Sequence, residues 1–293
     1  MRFCFIIEAQ YRNEPMPMVV AHQLMQWGHE VDVLEPQTSI TCLSDITGNG
    51  YDAFVLKTVS DGPGLSILEA AEAAGIAAIN KPQAIRQVRD KAVAIARAQA
   101  YGLPVPRTYF AAHQSLLSQV PEEDYPLVVK PTNGSSCRGI YKVNSPRDLA
   151  ALDITGAENN YLLAQHYAEN GNFDIKLYVA GTQVYAIAKR SPLHPDVAVE
   201  KHRILITLEM RALALQVGDI FGLDIYGLDI VETPDGSTVV DINDFPSFGH
   251  VPDATTIVAA HLIEVATRQI ARRMNNAPPA RYIDRSTEIA VSA

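Results

Sequence analysis

The sequence predicts an α/β domain followed by α+β lobes, and two observations carry that prediction. Residues 1–82 alternate short apolar strands with helices that end at glycine, the rhythm of a parallel sheet covered by helices. Beyond Pro104 the strands come instead in pairs around short polar turns, the pattern of antiparallel sheets. At 293 residues the chain has room for two domains or one large elaborated fold. Its 47% hydrophobic and 19% charged fractions are those of a globular protein.

The elements follow in order. Residues 3–7 read as a buried strand, and 16–27 have helical spacing that stops at Gly28, a residue suited to a left-handed cap. Residues 31–34 and 53–59 are further strands, 65–74 an Ala-rich helix closed by Gly75, and 76–79 a fourth strand. No G-x-G-x-x-G follows the first strand, so no dinucleotide site is read there. Pro82 opens a helix over 83–100, with Ile85, Val88, Ala92 and Ile95 as its apolar positions. Pro104 and Pro106 keep the next segment extended. Strands 127–130 and 140–143 flank a small-residue loop, and 175–179 and 184–188 flank Ala180-Gly181-Thr182. A helix over 208–221 stops at Gly222. Strands 227–231 and 238–242 flank Pro234-Asp235-Gly236, and a helix over 254–272 closes the fold. From Asn275 periodicity is lost and a frayed tail is expected.

Composition excludes several classes. The formal net charge is −9, from 24 Lys plus Arg against 33 Asp plus Glu, which argues against a general nucleic-acid or membrane-surface binder. No apolar run approaches the roughly 18 residues of a membrane span. The start, Met1-Arg2-Phe3-Cys4-Phe5-Ile6-Ile7, reads as a strand and not a signal peptide. Three scattered cysteines, Cys4, Cys42 and Cys137, fit a reducing cytoplasm better than a disulfide framework. The eight histidines show no H-x-x-x-H spacing and there is no C-x-x-C, which disfavours zinc. There is no G-x-S-x-G elbow either.

The late hairpin is the most informative segment. Thr233-Pro234-Asp235-Gly236-Ser237 suits a three-residue turn that pairs Thr233 with Ser237. Counting back, Asp229 then faces Asp241, and Asn243 shares their side of the sheet. Like charges directly opposed are destabilising, so two acids within apolar strands call for a cation. All-oxygen ligands indicate Mg²⁺. The alternative is a solvated sheet face with scattered acids. A second constellation starts at Lys130 and continues through Pro131-Thr132-Asn133-Gly134-Ser135-Ser136-Cys137-Arg138-Gly139. Backbone N–H groups of such a loop can fold over phosphate, though Gly/Ser loops are more often plain hairpin turns. A third is a scatter of cations: Lys91, Lys176, Lys189-Arg190 and Lys201-His202-Arg203. Each alone reads as surface charge; together they suit a phosphate-binding site.

Taken in order, these pieces resemble the ATP-grasp superfamily. The resemblance runs from Arg89-Asp90-Lys91 through Val129-Lys130-Pro131, the loop to Gly139, Ala164-Gln165-His166-Tyr167 and Asp174-Ile175-Lys176. It ends with Leu228-Asp229-Ile230 and Asp241-Ile242-Asn243. It implies an N-terminal α/β domain (1–82), a central lobe with a glycine-rich lid (83–166), a C-terminal lobe with the Mg²⁺ site (167–274) and a tail (275–293), with ATP clamped between the two lobes. It implies that Lys91, Lys130, Gly134, Ser135, Ser136 and Gly139 hold ATP phosphates. Gln165, His166 and Tyr167 would meet adenine through their backbone, with Asp174 near the ribose. Asp229, Asp241 and Asn243 match the family's magnesium ligands. Asp241 stands where the family often has Glu, which bears on whether two Mg²⁺ ions are bridged.

Two branches fit. The lid and the N-terminal domain resemble RimK-type carboxylate–amine ligases. The strings Lys176-Leu177-Tyr178-Val179-Ala180-Gly181 and Asp241-Ile242-Asn243-Asp244-Phe245-Pro246-Ser247-Phe248-Gly249 are similar to inositol tris/tetrakisphosphate kinases. Asn133-Gly134-Ser135-Ser136 favours the ligase. The expected activity is therefore ATP- and Mg²⁺-dependent joining of an acid, small molecule or peptide, to an amine through an acyl phosphate, in the cytoplasm. Lys176, Lys189, Arg190 and Arg138 are the candidate catalytic residues, and Ser247 and His250 the candidate substrate contacts. The alternative is a kinase acting on an inositol phosphate or related polyol phosphate. The acidic composition and short apolar runs lead to the expectation of no nucleic-acid or membrane partner, and dimers and tetramers are frequent in the resembled families.

Overall fold

A computed structural model describes residues 1–58, 62–132, 139–152, 154, 161–169, 173–194 and 196–276. The chain begins with β1 (Arg2–Ile7), α1 (Pro15–Gln26), β2 (Glu30–Leu34), β3 (Ala53–Lys57), α2 (Gly64–Ala73) and β4 (Ala77–Ile79). These strands form a parallel sheet in the order β2-β1-β3-β4. Alternation along β1 sends Phe3 and Phe5 to a core shared with α1, and Cys4 and Ile6 to one shared with α2. Helices therefore cover both faces, as expected for near-continuous apolar strands.

The helix predicted over 83–100 is broken in two, α3 (Pro82–Arg89) and α4 (Lys91–Ala100). Asp90 leaves helical geometry and its carboxylate accepts from the Ala92 and Val93 amides, capping α4. Apolar periodicity continues through this joint, so spacing alone hides it. The capping aspartate places Lys91 at the head of α4.

The next sheet is built from β5 (Thr108–Ala111), β6 (Leu127–Pro131), β7 (Tyr141–Val143) and β8 (Leu162–His166), with the short helix α5 (Pro146–Ala151) beside it. Its antiparallel order is β5-β8-β6-β7. Val129 and Ala164 face a core with Leu117 and Leu149, which leaves Val128, Lys130 and Gln165 on the opposite side.

The largest sheet uses β9 (Phe173–Ala180), β10 (Gln183–Arg190), β11 (His202–Ile204), β12 (Ile225–Thr233) and β13 (Gly236–Asp244), in the order β11-β10-β9-β12-β13. On one face Leu177, Val179, Leu228, Ile230, Val239 and Ile242 pack on α3, α4 and α6 (Leu208–Phe221). The other face carries Lys176, Tyr178, Lys189, Asp229, Asp241 and Asn243 toward a cleft. Helix α6 has the predicted bounds, with Thr207 capping Met210 and Gly222 in the left-handed conformation.

Two placements differ from the expectation. Helices α3 and α4, assigned from sequence to the central lobe, pack on the five-stranded sheet. Helix α7 (Ala254–Asn276), assigned to the C-terminal lobe, buries Val258, Leu262 and Ala266 in one core with Phe3, Phe5, Leu24, Tyr178 and Ile187. It also runs through Asn275, where fraying was expected; residues 277–293 lie outside the described residues.

Asn80 fastens the N-terminal sheet to the large one. Its Oδ1 accepts from the Asp224 and Ile225 amides at 2.8 Å each, and its Nδ2 donates to the Ile225 carbonyl at 2.6 Å. The side chain is buried, so Asn80→Ala takes the acceptor from two backbone amides, while the Ile225 carbonyl keeps the Phe245 N–H at 3.1 Å. The expected loss is on the order of 3 kcal/mol. Urea unfolding measures it, and a loss below about 1 kcal/mol would show that this clamp is dispensable.

Candidate active site

The hairpin of β12 and β13 delivers the two acids, by a route different from the predicted one. The turn pairs Thr233 with Gly236, a two-residue turn instead of the three-residue one expected from Pro-Asp-Gly. The ladder then runs one residue out of the predicted register as far as Ile230–Val239. A bulge at Val240 restores it, so that Asp229 does face Asp241. The bulge also frees the Val240 carbonyl, which accepts a 2.9 Å hydrogen bond from Lys130 Nζ.

Cations surround both carboxylates. Lys176 Nζ donates to Asp229 Oδ2 at 3.0 Å, and Lys189 Nζ lies 2.6 Å from Oδ1. Asn243 Nδ2 reaches Asp229 Oδ2 at 3.3 Å. Lys91 Nζ donates to Asp241 Oδ1. Burial alone would raise both acids; Lys176 and Lys189 outweigh it at Asp229, and Lys91 and Lys130 do so at Asp241 against the repulsion of Asp229. Both carboxyls are held below the usual carboxylate range. Two carboxylates and an amide on one sheet face form a donor set suited to a hard divalent cation, since each carboxylate keeps lone pairs beyond those its lysines use. Gly227, opposite Asn243, keeps this face open: a Cβ there would stand 3.2 Å from Lys176 Cε and 3.3 Å from Pro246 Cγ.

Two cavities meet at Lys91 and Lys189. One is narrow and largely apolar, between Val128 and Ile140 on the four-stranded sheet and Val231 and Val240 on the five-stranded one. Gln165, His166, Tyr167 and Asp174 also line it. The amides of His166 and Tyr167 already donate to the Arg107 and Pro126 carbonyls at 2.8 Å. Those two N–H groups, expected to meet a base, are occupied, which leaves the carbonyls and Ala168 to serve. The second cavity is polar and reaches Lys176, Asn243, Ser247 and His250.

Most predicted residues described by the structure thus converge. Lys91, Lys130, Gln165, His166, Tyr167, Asp174, Lys176, Lys189, Asp229, Asp241, Asn243, Ser247 and His250 all line one cavity or the other. Arg190 lines neither cavity: it follows Lys189 on β10, so alternation turns it to the other face, where it is exposed. Gly139 starts the return from the loop at φ 70°, beside Pro131. Gly134, Ser135, Ser136 and Arg138 lie outside the described residues.

Residues 88–266 match the family model of the RimK-like ATP-grasp domain. The chain belongs to this family. Among relatives of this RimK-like protein, a probable alpha-L-glutamate ligase of Vibrio vulnificus is 26% identical over 260 residues, covering 80% of this chain and 85% of the relative. A RimK domain ATP-grasp protein from Sphaerobacter thermophilus has the same fold at a TM-score of 0.70, with 16% identity over 91% of this chain and 100% of that one. ATP-grasp ligase PsnB, solved with a minimal precursor, Mg and ADP, superposes at a TM-score of 0.66 and 19% identity, covering 91% of this chain and 96% of PsnB. The RimK-like chain has the ATP-grasp fold and is an ATP-dependent carboxylate–amine ligase. Among its described residues no helix is long and apolar enough to cross a membrane.

Sequence reading missed one group at the second cavity. Lys57 comes from the N-terminal sheet and Tyr11 and Glu14 from the segment between β1 and α1, all ahead of the matched stretch. Arg89, close in sequence to the predicted Lys91, also lines this cavity. Its guanidinium pairs with buried Asp244 at 2.5 Å, and Asp244 more than offsets the burial that would otherwise lower its pKa. No spacing links residues so far apart; only the lone lysine ending an otherwise apolar β3 was a local signal.

Asp229→Asn is expected to destabilise the protein by on the order of 3 kcal/mol, because Lys176 and Lys189 lose their counter-charge in a buried setting. A depressed folded-state pKa confers stability that is present above the ordinary carboxylate range and lost as pH falls below it. The gap between wild type and variant should therefore be constant above about pH 5 and shrink below it. Denaturant titrations at several pH values read this, and a gap independent of pH would contradict the ion-pair account.

Proposed function

We propose that the cleft binds ATP with Mg²⁺ between the four- and five-stranded sheets, activates a carboxylate as an acyl phosphate and passes the acyl group to an amine. The observation that carries this reading is the facing pair Asp229 and Asp241, ringed by Lys91, Lys176 and Lys189, at the mouth of an apolar slot. The slot suits a flat base, with Asp174 placed for the ribose. Lys91 and Lys130 are placed for the phosphates, and Asp229, Asp241 and Asn243 would hold Mg²⁺, which supplies charge neutralisation to the transferring phosphoryl group.

The reaction balances without a further co-reactant. A substrate carboxylate oxygen attacks the γ-phosphorus and ADP leaves. The amine nitrogen then attacks the acyl carbon, phosphate leaves, and the amine proton passes to solvent. Lys176 and Lys189, freed from Asp229 when a metal takes that carboxylate, would neutralise the γ-phosphoryl and acyl-phosphate oxygens.

The second cavity suits an acidic substrate. Among the described residues Lys57, Arg89, Lys91, Lys176, Lys189 and Lys201 line it, against Glu14 and Asp244. The Vibrio relative is named a glutamate ligase, and this charge excess supports glutamate as one of the two substrates here. The family match and this relative speak for the ligase over the inositol phosphate kinase.

The test is incubation with ATP, Mg²⁺, candidate acids and hydroxylamine, beside a panel of inositol phosphates. Hydroxamate with ADP is expected. Phosphorylated inositol without hydroxamate would overturn the ligase reading, and no ADP under any condition would overturn both. Asp241→Ala should abolish Mg²⁺-dependent turnover with the fold intact by circular dichroism; retained turnover would sink the metal assignment.

A further inference from the structure

Lys57 ends β3 in the N-terminal sheet and is 5% exposed, yet its side chain lines the polar cavity. Its Nζ donates to the Phe245 carbonyl and stands 4.7 Å from the centre of the Tyr11 ring. Glu14 Oε2 is 3.9 Å away, beyond hydrogen-bond reach, on a side chain that is 44% exposed. Asp244, the other nearby acid, is engaged by Arg89. An ammonium carries three donors, and Phe245 accounts for one. Burial draws the Lys57 ammonium below the ordinary lysine range, against the pull of Asp244 and Glu14, so the charge is under-compensated where it stands.

Its position in the cavity fits a substrate group remote from the reacting centre. Lys91, Lys176 and Lys189 stand at the Asp229–Asp241 end, where phosphates are expected. Lys57 stands with Tyr11 and Glu14 on the wall contributed by the N-terminal sheet and its β1–α1 connection. The matched family stretch begins at residue 88, so the nucleotide-facing groups from Lys91 onward lie inside it and this wall lies outside it. A wall supplied by a separate sheet can vary while the phosphoryl-transfer groups stay fixed, which is where substrate choice is expected to reside.

We propose that Lys57 is a specificity-determining residue that binds a carboxylate of the amino-acid substrate other than any carboxylate that reacts. This rests on the ligase reading above. The Phe245 carbonyl and the Tyr11 ring hold the ammonium in place, and its remaining donors meet the substrate oxygen in a partly desolvated setting. A charged hydrogen bond there discriminates a carboxylate from the isosteric amide, which offers weaker acceptor oxygen and no charge.

The experiment is calorimetric titration of the full chain saturated with Mg²⁺ and AMPPNP, using L-glutamate, L-glutamine and L-isoglutamine. Wild type is expected to bind glutamate about tenfold or more tightly than at least one of the two amides. In Lys57→Met that preference should fall to within about twofold, with AMPPNP affinity unchanged, and Lys57→Arg should restore most of it. If Lys57→Met does not fold by its melting curve, Lys57→Gln takes its place. An unaltered preference in the neutral variant overturns the proposal. So does wild type binding all three ligands equally, or none of them, while still binding Mg²⁺–AMPPNP; these outcomes leave the ligase reading standing. Failure of wild type to bind Mg²⁺–AMPPNP removes that reading and this inference with it.

Discussion

The site depends on keeping two carboxylates face to face within a buried stretch of sheet. Unit charges about 5 Å apart repel by about 3 kcal/mol at an effective dielectric of about 20, so the pair persists only with compensation. Lys176 and Lys189 supply it at Asp229, and Lys91 at Asp241. These lysines arrive from β9, β10 and the head of α4, so three separate elements are tied to one hairpin. Three lysines thus more than neutralise the two carboxylates before any ligand enters. On the proposed reading a divalent ion would take the carboxylates and the phosphates would take the lysines.

Much of this was legible because strands impose a period of two. Once Asp229, Asp241 and Asn243 were placed on strands, their common face followed, and Lys176 and Lys189 followed in the same way. The turn itself was misread. Pro234-Asp235 turns in two residues, and the bulge at Val240 compensates, so the predicted pairing of the acids emerged from a ladder with two irregularities. A bulge leaves no mark in apolar spacing, and its consequence, a carbonyl turned toward Lys130, was invisible in the sequence. Lys189 and Arg190 are adjacent in sequence, but neighbours on a strand face opposite ways, so of the two Lys189 lines the cavities.

Long-range assembly was the less legible part. Amphipathic spacing shows that α3, α4 and α7 bury a face, and it is silent on which sheet receives that face. The 244–250 loop shows the consequence. Phe245 and Phe248 hold positive φ angles of 37° and 53°, strained for aromatic residues, and both are buried in the core shared with the N-terminal sheet. That core, with Asn80 and Lys57, holds a strained loop against the substrate cavity. The N-terminal sheet therefore shapes the site without containing any of the lysines that pair with Asp229 and Asp241.

If the lysine-neutralised acid pair is the proposed nucleotide–metal centre, a bound metal must displace lysines from Asp229. Crystals grown with Mn²⁺ and AMPPNP test it through the anomalous signal of the metal. The account predicts manganese coordinated directly by Asp229 and Asp241, with Lys176 and Lys189 shifted from Asp229 onto phosphate oxygens. Manganese bound elsewhere, with both lysines still on Asp229 and nucleotide in the cleft, would contradict it.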